Sequence, residues 1–389
     1  MTLRTSSALA ESPSEVTSAA KMLGTALGDA PGLVMFFASS GYELGAVVDS
    51  IKRIYPDAMV LGSSSAGEFT ERGDAKNSVS MFGIAGDLET RAAMAFHLEQ
   101  DVERAVASAT TAVPRQMDGY PYRTALLFLD PLSGRSEEAT ALAASYLGND
   151  VTLAGGASGD DLRMHQTQVS LDHLVASNAM ALVVLYTRTP VGIGVSHRNR
   201  VLSQPMQVTR AVGSTVYEVD GRPAWDVWLD AAGDGLEFPS SFDGFGSQEI
   251  TRFLLTHEAA LYRGEELRVR APLTRRANGA LGFACGIPEG SRISVAESSA
   301  EAQVQSALDA ARQARDALNG APVSGALVFD CVSRNLLLGN RFDEAVRGIS
   351  HELGSVPIAG FESYGEIGSR RGFPADFHNT STVVVAFGC

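Results

Sequence analysis

Cysteine is scarce in this chain, which has three: Cys285, Cys331 and Cys389. The count is odd and no CxxC pair occurs, so the spacing of a disulfide framework or a structural zinc site is missing, and a reducing compartment fits. Long apolar runs are missing as well. No window approaches the roughly 18 apolar residues that a membrane-spanning helix needs, and the stretch Met1–Glu15 lacks the apolar core of a signal peptide. Together these absences point to the cytoplasm, with no membrane insertion. Positive charge is also short. The net charge is −14, and the densest basic stretches, Arg268 to Arg276 and Arg370-Arg371, are brief. Phosphate backbones are gripped by clustered Lys and Arg, so no nucleic-acid partner is expected. No HExxH, GxSxG, P-loop or kinase set occurs, which removes the common catalytic signatures.

What is present is an ordinary globular mixture, 45% hydrophobic and 20% charged, over 389 residues, enough for two domains. Within it a pattern repeats. Leu33 to Ala38 is a short, wholly apolar run, as in a strand buried on both faces. Tyr42 to Tyr55 places Leu44, Val47, Val48, Ile51 and Ile54 at helical spacing, and Pro56-Asp57 ends that helix. Met59 to Leu61 then leads into Gly62-Ser-Ser-Ser-Ala-Gly67-Glu68, and Ser78 to Ala85 closes the unit as a strand. The order returns in Ala125–Leu129, Ser136–Leu147, Val151 to Asp160 and Ala179–Tyr186. It returns again in Ala326–Phe329, the helix carrying Phe342, Ala345, Val346, Ile349 and Leu353, then Val356 to Glu366 and Thr380–Phe387. The first and third copies share Gly-x4-Gly-Glu; the second has Ala154 at the first place and Asp160 at the acid. A strand, a crossover helix and a parallel strand form a βαβ unit. The expected fold is therefore α/β, with repeated β-α-β units forming two layered halves with mixed sheets. Val16–Leu27, Val102–Val113 and Ala300–Leu318 read as helices before each copy, and Glu266 to Glu297 as strands. Residues 1–14 read as a disordered polar lead-in, followed by domains over 15–200 and 201–389. The irregular stretch Ala231–Ser247 is the long loop most open to a functional role.

The ordered set of segments resembles the FIST domains of bacterial signal transduction. The residues that carry the resemblance are FFAS at Phe36–Ser39, PDAMVLGSSSAGE at Pro56–Glu68, AGGASGDD at Ala154–Asp161, Val208–Trp228, GFESYGEIG at Gly360–Gly368 and FHNTSTVVVAF at Phe377–Phe387. The resemblance implies a sensory role with small ligands such as amino acids. One branch is similar to haem-binding nitric-oxide sensors that regulate histidine kinases or cyclic-di-GMP enzymes in trans. This chain departs from many relatives after His197, where Arg198-Asn199-Arg200 stands in place of glycine, so no role is carried over to that segment.

Ligands in α/β sheets gather at the carboxyl ends of strands. That places a candidate ligand site at the glycine-acid turns: Ser63, Ser64, Ser65, Gly67, Glu68, Gly159, Asp160, Gly365, Glu366 and Asn379. Hydroxyls beside carboxylates hold an ammonium or amide by charge-assisted hydrogen bonds; the structural alternative is that the glycines and acids simply build turns. A haem would need an axial ligand. His257 is the first candidate, because Ile250, Phe253, Leu254, His257 and Leu261 share a helical spacing; His351 and His378 follow. Trp225 and Trp228 flank a helix start at Asp220-Gly-Arg-Pro and are expected to pack. The expected function is a non-enzymatic sensory binding protein. The alternatives are an enzyme using the repeated carboxylates and an interaction scaffold without a ligand.

Overall fold

The computed structural model describes residues 2–233, 248–264, 266–370 and 373–389. Three repeats are built from the same parts in the same order: an edge strand, a helix, a central strand, a second helix, a third strand, a short hairpin and a closing strand. In the first repeat these are Arg4–Ala10, Val16–Leu27, Leu33–Ser39, Leu44–Ile54, Met59–Ser65, Glu68–Thr70 with Gly73–Ala75, and Val79–Ala85. In the second they are Leu88–Phe96, Val102–Thr111, Tyr122–Leu129, Ser136–Leu147, Thr152–Ala157, Val169–Leu171 with Leu174–Ala176, and Ala179–Thr187. In the third they are Val191–Ser196, Ala300–Asp316, Val323–Cys331, Phe342–Glu352, Ile358–Ser363, Glu366–Gly368 with Asp376–His378, and Thr382–Gly388. The α/β class, the repeated units and the mixed sheets thus hold, but the units form three repeats with one six-stranded sheet each in place of two layered halves.

The expected disordered lead-in is corrected. Residues Arg4–Ala10 pair in full antiparallel register with Val79–Ala85, and Leu3, Ala8 and Ala10 are buried. A run of Ser and Ala has no apolar periodicity to announce a strand, yet its small side chains fit under the helix Val16–Leu27.

The sheets are completed by exchange. The hairpin of the first repeat pairs with the third strand of the third repeat, Phe361 facing Glu68. The second repeat's hairpin pairs with the first repeat, Ser63 facing Val169. The third repeat's hairpin pairs with the second, Gly156 facing Glu366. The three sheets therefore close into a ring with approximate threefold symmetry. Phe37, Phe128 and Phe329 occupy equivalent central-strand positions and meet edge to face inside it, at 5.5, 5.6 and 6.1 Å between centroids. Their partners across the parallel ladder are Ser63, Gly156 and Phe361. Only the third is large, and its ring stacks on Phe37 at 4.5 Å, filling the space that Ser63 and Gly156 leave.

In the third repeat the connection from edge strand to first helix carries an inserted β unit. Residues Arg200–Glu297 contribute a nine-stranded sheet and a core containing Trp225, Trp228, Phe253 and Phe283. Beneath it, the helix Ala300–Asp316 lies directly on Val191–Ser196. A Cβ on Gly192 or Gly194 would overlap the carbonyl of Ala314 or Ala310, so these two glycines set the approach and turn Val191 and Ile193 to the opposite face. Most of the loop Ala231–Ser247 lies outside the described residues.

Phe361→Ala should open the ring axis and cost about 3–5 kcal/mol, measured by chemical denaturation. A loss below about 1 kcal/mol would show that the neighbouring rings collapse into the space.

Candidate ligand site

The glycine-acid turns lie inside the protein. Glu68 is fully buried; Ser39 and Ser78 donate to its Oε2 at 2.8 and 2.7 Å, and Ser65 donates to Oε1. Glu366 is built alike, with Ser363 Oγ 2.7 Å from Oε1 and Ser381 Oγ 2.9 Å from Oε2. Burial pushes both carboxyls up, to about 7 for Glu68 and about 8 for Glu366, although the serine hydroxyls favour the charged form. Ser63 shares a hydrogen bond of 2.7 Å with Ser158, and Ser64 Oγ accepts from Gln168 N at 2.9 Å. Gly67 and Gly365 are pressed against Glu362 and Phe377, where a Cβ would not fit. Asn379 is 3% exposed and its Oδ1 has no partner among the described residues. These residues are brought together as interior hydrogen-bond clusters, not as the wall of an open cleft.

The second repeat departs from the motif alignment. The residue equivalent to Glu68 and Glu366 is Val169, because all three face the same rung of the exchanged ladder. Gly159 and Asp160 instead open a longer loop before that hairpin. Asp160 accepts from the backbone N–H of Met164 and Gln166 at 2.9 Å and from Tyr364 Oη at 2.5 Å. Burial raises its pKa, but these hydrogen bonds outweigh burial and hold it below the ordinary carboxylate value.

The histidine expectations change too. His257 does not continue the helix Gln248–Thr256; it starts the strand His257–Arg263, paired with Glu297. Its ring stacks on Phe253 at 4.5 Å, with Nδ1 3.0 Å from the Phe253 carbonyl. Pairing to the neighbouring strand overrides the helical spacing at this position. His351 is exposed on an outer helix. His378 is buried, Nε2 3.3 Å from the Gly368 carbonyl, and burial holds its pKa well below the ordinary value. Trp225 and Trp228 pack inside the inserted unit, and Trp228 Nε1 donates to the His257 carbonyl at 2.9 Å.

An open cleft lies elsewhere, where the symmetry breaks. Each exchanged hairpin turns next to the first ladder rungs of the strand it joins. Two turns have two residues, Glu71-Arg72 and Asp172-His173, while the third spans seven, 369–375. In the short turns an acid accepts from the strand's N–H: Glu71 from Ile358 N at 3.0 Å, Asp172 from Val60 N at 3.0 Å. Ser369 takes that position in the third, accepting from Leu153 N at 2.9 Å. Arg370, Phe373, Pro374 and Ala375 of this turn border a cleft of about 850 Å³. Its apolar floor is Leu147, Val151, Leu153, Val191 and Ile193; Asn149, Thr152, Gln313, Asp316, Asn319, Ser369 and Arg370 supply polar groups. That size and mixture suit a small-molecule site. The sequence reading missed it. The available signal was the longer spacing between EIG and DFH in the third copy, and Arg370 stood out only as part of a basic pair.

Between pH 6.5 and 8, stability should fall as pH rises. Glu366 has its folded pKa raised from 4.5 to about 8. The folded state therefore holds protons there that the unfolded state has released. His197, His257 and His378, lowered mainly by burial from 6.5, act in the opposite sense, chiefly below that window. The melting temperature should drop across it, with at most about 1.4 kcal/mol per pH unit per carboxylate, and Glu366→Gln should reduce the slope but not abolish it, because burial also raises Glu362 to about 8. A melting temperature that rises with pH would contradict the assignment.

The FIST N domain model matches residues 32–222 and the FIST C domain model residues 225–369. Uncharacterised proteins from two strains of Mycobacterium tuberculosis are 29% identical over 258 residues, which is 64% of this chain. The chain spans 64% of the length of these curated relatives. Among solved structures, cyanuric acid hydrolase from A. caulinodans aligns over 100% of this chain and 99% of its own, at 9% identity and a TM-score of only 0.33. With both domain models matched in order along the repeats, the chain belongs to the FIST family.

Proposed function

We propose that this protein is a non-enzymatic sensor whose small ligand enters the cleft between the second and third repeats. FIST domains are associated with sensory signal transduction and small-ligand binding. The observation that carries the placement is the single long hairpin turn: two seams of the ring are closed by two-residue turns, and the third opens about 850 Å³ beside Arg370. The cleft offers one cation, Arg370, and one anion, Asp316, among its described lining residues. An amino-acid-like ligand matches that pair of charges over an apolar floor. The output would pass to a signalling protein such as a histidine kinase or a cyclic-di-GMP enzyme.

Other readings find less support. A carboxylate enzyme would need Glu68 and Glu366 open to substrate, and each is sealed among its own serines. Haem with nitric oxide would need an axial ligand facing a slot, and the described lining of the cleft has no His, Cys, Met or Tyr. His257 and His378 are engaged by Phe253 and Gly368.

A thermal-shift panel of amino acids should include ligands that raise the melting temperature, by about 2.7 kcal/mol of stabilisation at a hundred times Kd. Ile193→Trp should fill the cleft and remove the shift while leaving the fold intact. Protein supplied with haem should show no stoichiometric Soret band. A band that moves with nitric oxide and is lost in His257→Ala would replace this proposal with the gas-sensing one.

A further inference from the structure

Among the described residues, three arginine–carboxylate pairs join the inserted β unit to the ring. Arg268 lies 2.5 Å from Asp376, and Arg270 lies 2.5 Å from Glu137. In both, the insert contributes the cation. The third pair is reversed: the insert contributes Glu266, and the ring contributes Arg370, at 3.0 Å. Arg370 is also a lining residue of the cleft, and the sole cation among the described ones. Its Nη1 is used by Glu266, while its Nε is shielded from solvent and has no hydrogen-bond partner among the described residues. The guanidinium thus holds unused donor capacity, and a fork of N–H groups matches a carboxylate or phosphate in a way a point charge does not.

We propose that Arg370 is shared between the two: it anchors the anionic group of a ligand whose apolar body lies on Val191, Ile193 and Leu153, and it gives up Glu266 to do so. This rests on the cleft being the ligand site. Release of Glu266 removes one of three clamps on the strand Glu266–Arg270, so ligand binding and insert docking are thermodynamically coupled. Coupling is reciprocal: whatever weakens the Arg370–Glu266 pair must tighten the ligand. The inserted unit carries its own reporter, because both tryptophans of the chain, Trp225 and Trp228, lie in its core.

The test uses 3-phenylpropionate and its uncharged amide, 3-phenylpropionamide, on the full-length protein. Binding is followed by chemical shifts of labelled Val, Ile and Leu methyl groups and by tryptophan emission. Phenylpropionate should bind more tightly than the amide by about tenfold, shift the methyl resonances of Val191, Ile193 and Leu153, and change the tryptophan emission. Glu266→Gln, close to isosteric, should tighten phenylpropionate by about fivefold or more and give a free-state emission like that of the liganded wild type. Arg370→Gln should bring acid and amide to equal affinity. Acid and amide binding equally in the wild type, or an unchanged affinity in Glu266→Gln, overturns the shared role of Arg370 and leaves the cleft standing as a binding site. Should neither compound move the three methyl resonances at millimolar concentration, the cleft itself fails as a site for such ligands, and this proposal fails with it.

Discussion

Each repeat gives its hairpin to a neighbour, and the remaining architecture follows from that exchange. A third strand that kept its own hairpin could satisfy its backbone locally. Here Met59–Ser65, Thr152–Ala157 and Ile358–Ser363 each take their outer hydrogen bonds from another repeat. Buried N–H and C=O groups must be paired, so no repeat can complete its sheet alone. The ring closes only when all three are present, and closure brings Phe37, Phe128 and Phe329 together at its axis. A single Phe361 suffices to fill the centre because symmetry leaves room for one large side chain among three equivalent places.

The exchange also decides what becomes of the strand carboxyl ends. In an open α/β sheet they form a crevice for ligands. In this ring the neighbour's hairpin covers them, and Glu68 and Glu366 are enclosed with Ser65 and Ser78, or Ser363 and Ser381. Burial then favours their protonated forms, and the hydroxyls satisfy the oxygens. The strands and hairpins common to the repeats serve closure, and the segments present in one repeat alone lie outside it: the inserted unit after His197, the loop Gly159–Thr167 and the turn 369–375.

Much of the scaffold was legible from residue pattern. The helices Val16–Leu27 and Ser136–Leu147 are bounded by the residues that apolar spacing predicts, and the unbroken runs such as LVMFFA are strands buried on both faces. Legibility failed where structure is made by partners distant in sequence. A three-residue hairpin strand such as Glu68–Thr70 has no period of its own, so its pairing with Ile358–Ser363 leaves no trace in composition. The same holds for the small-residue strand Arg4–Ala10. The Gly-x4-Gly-Glu motif was recognised, but its match to Asp160 was one of letters. Ladder register, not spelling, assigns Val169 to that place. His257 illustrates the reverse error, a helical spacing cut short by strand pairing. The cleft was missed because a length difference between corresponding turns is visible only after the turns have been put in correspondence.

Not every buried ion pair in this protein could serve as a switch, and burial separates the kinds. Arg334 and Asp330 are 2.6 Å apart with side chains 0% and 2% exposed, and Gln303, Ser306 and Thr382 hold them further. Opening that pair would leave uncompensated charge in the interior, at a cost of about 3–5 kcal/mol. No small ligand of ordinary affinity difference could drive such an opening usefully. Arg370 and Glu266 retain 23% and 19% side-chain exposure. Each can trade its partner for water or for a ligand at a lower cost than that interior pair. A coupling of about 1–3 kcal/mol is typical of allosteric proteins. A half-buried pair at the edge of a cleft, opposed by two more deeply held clamps at Arg268 and Arg270, is the arrangement in which an exchange of that size would move one strand and leave the ring intact.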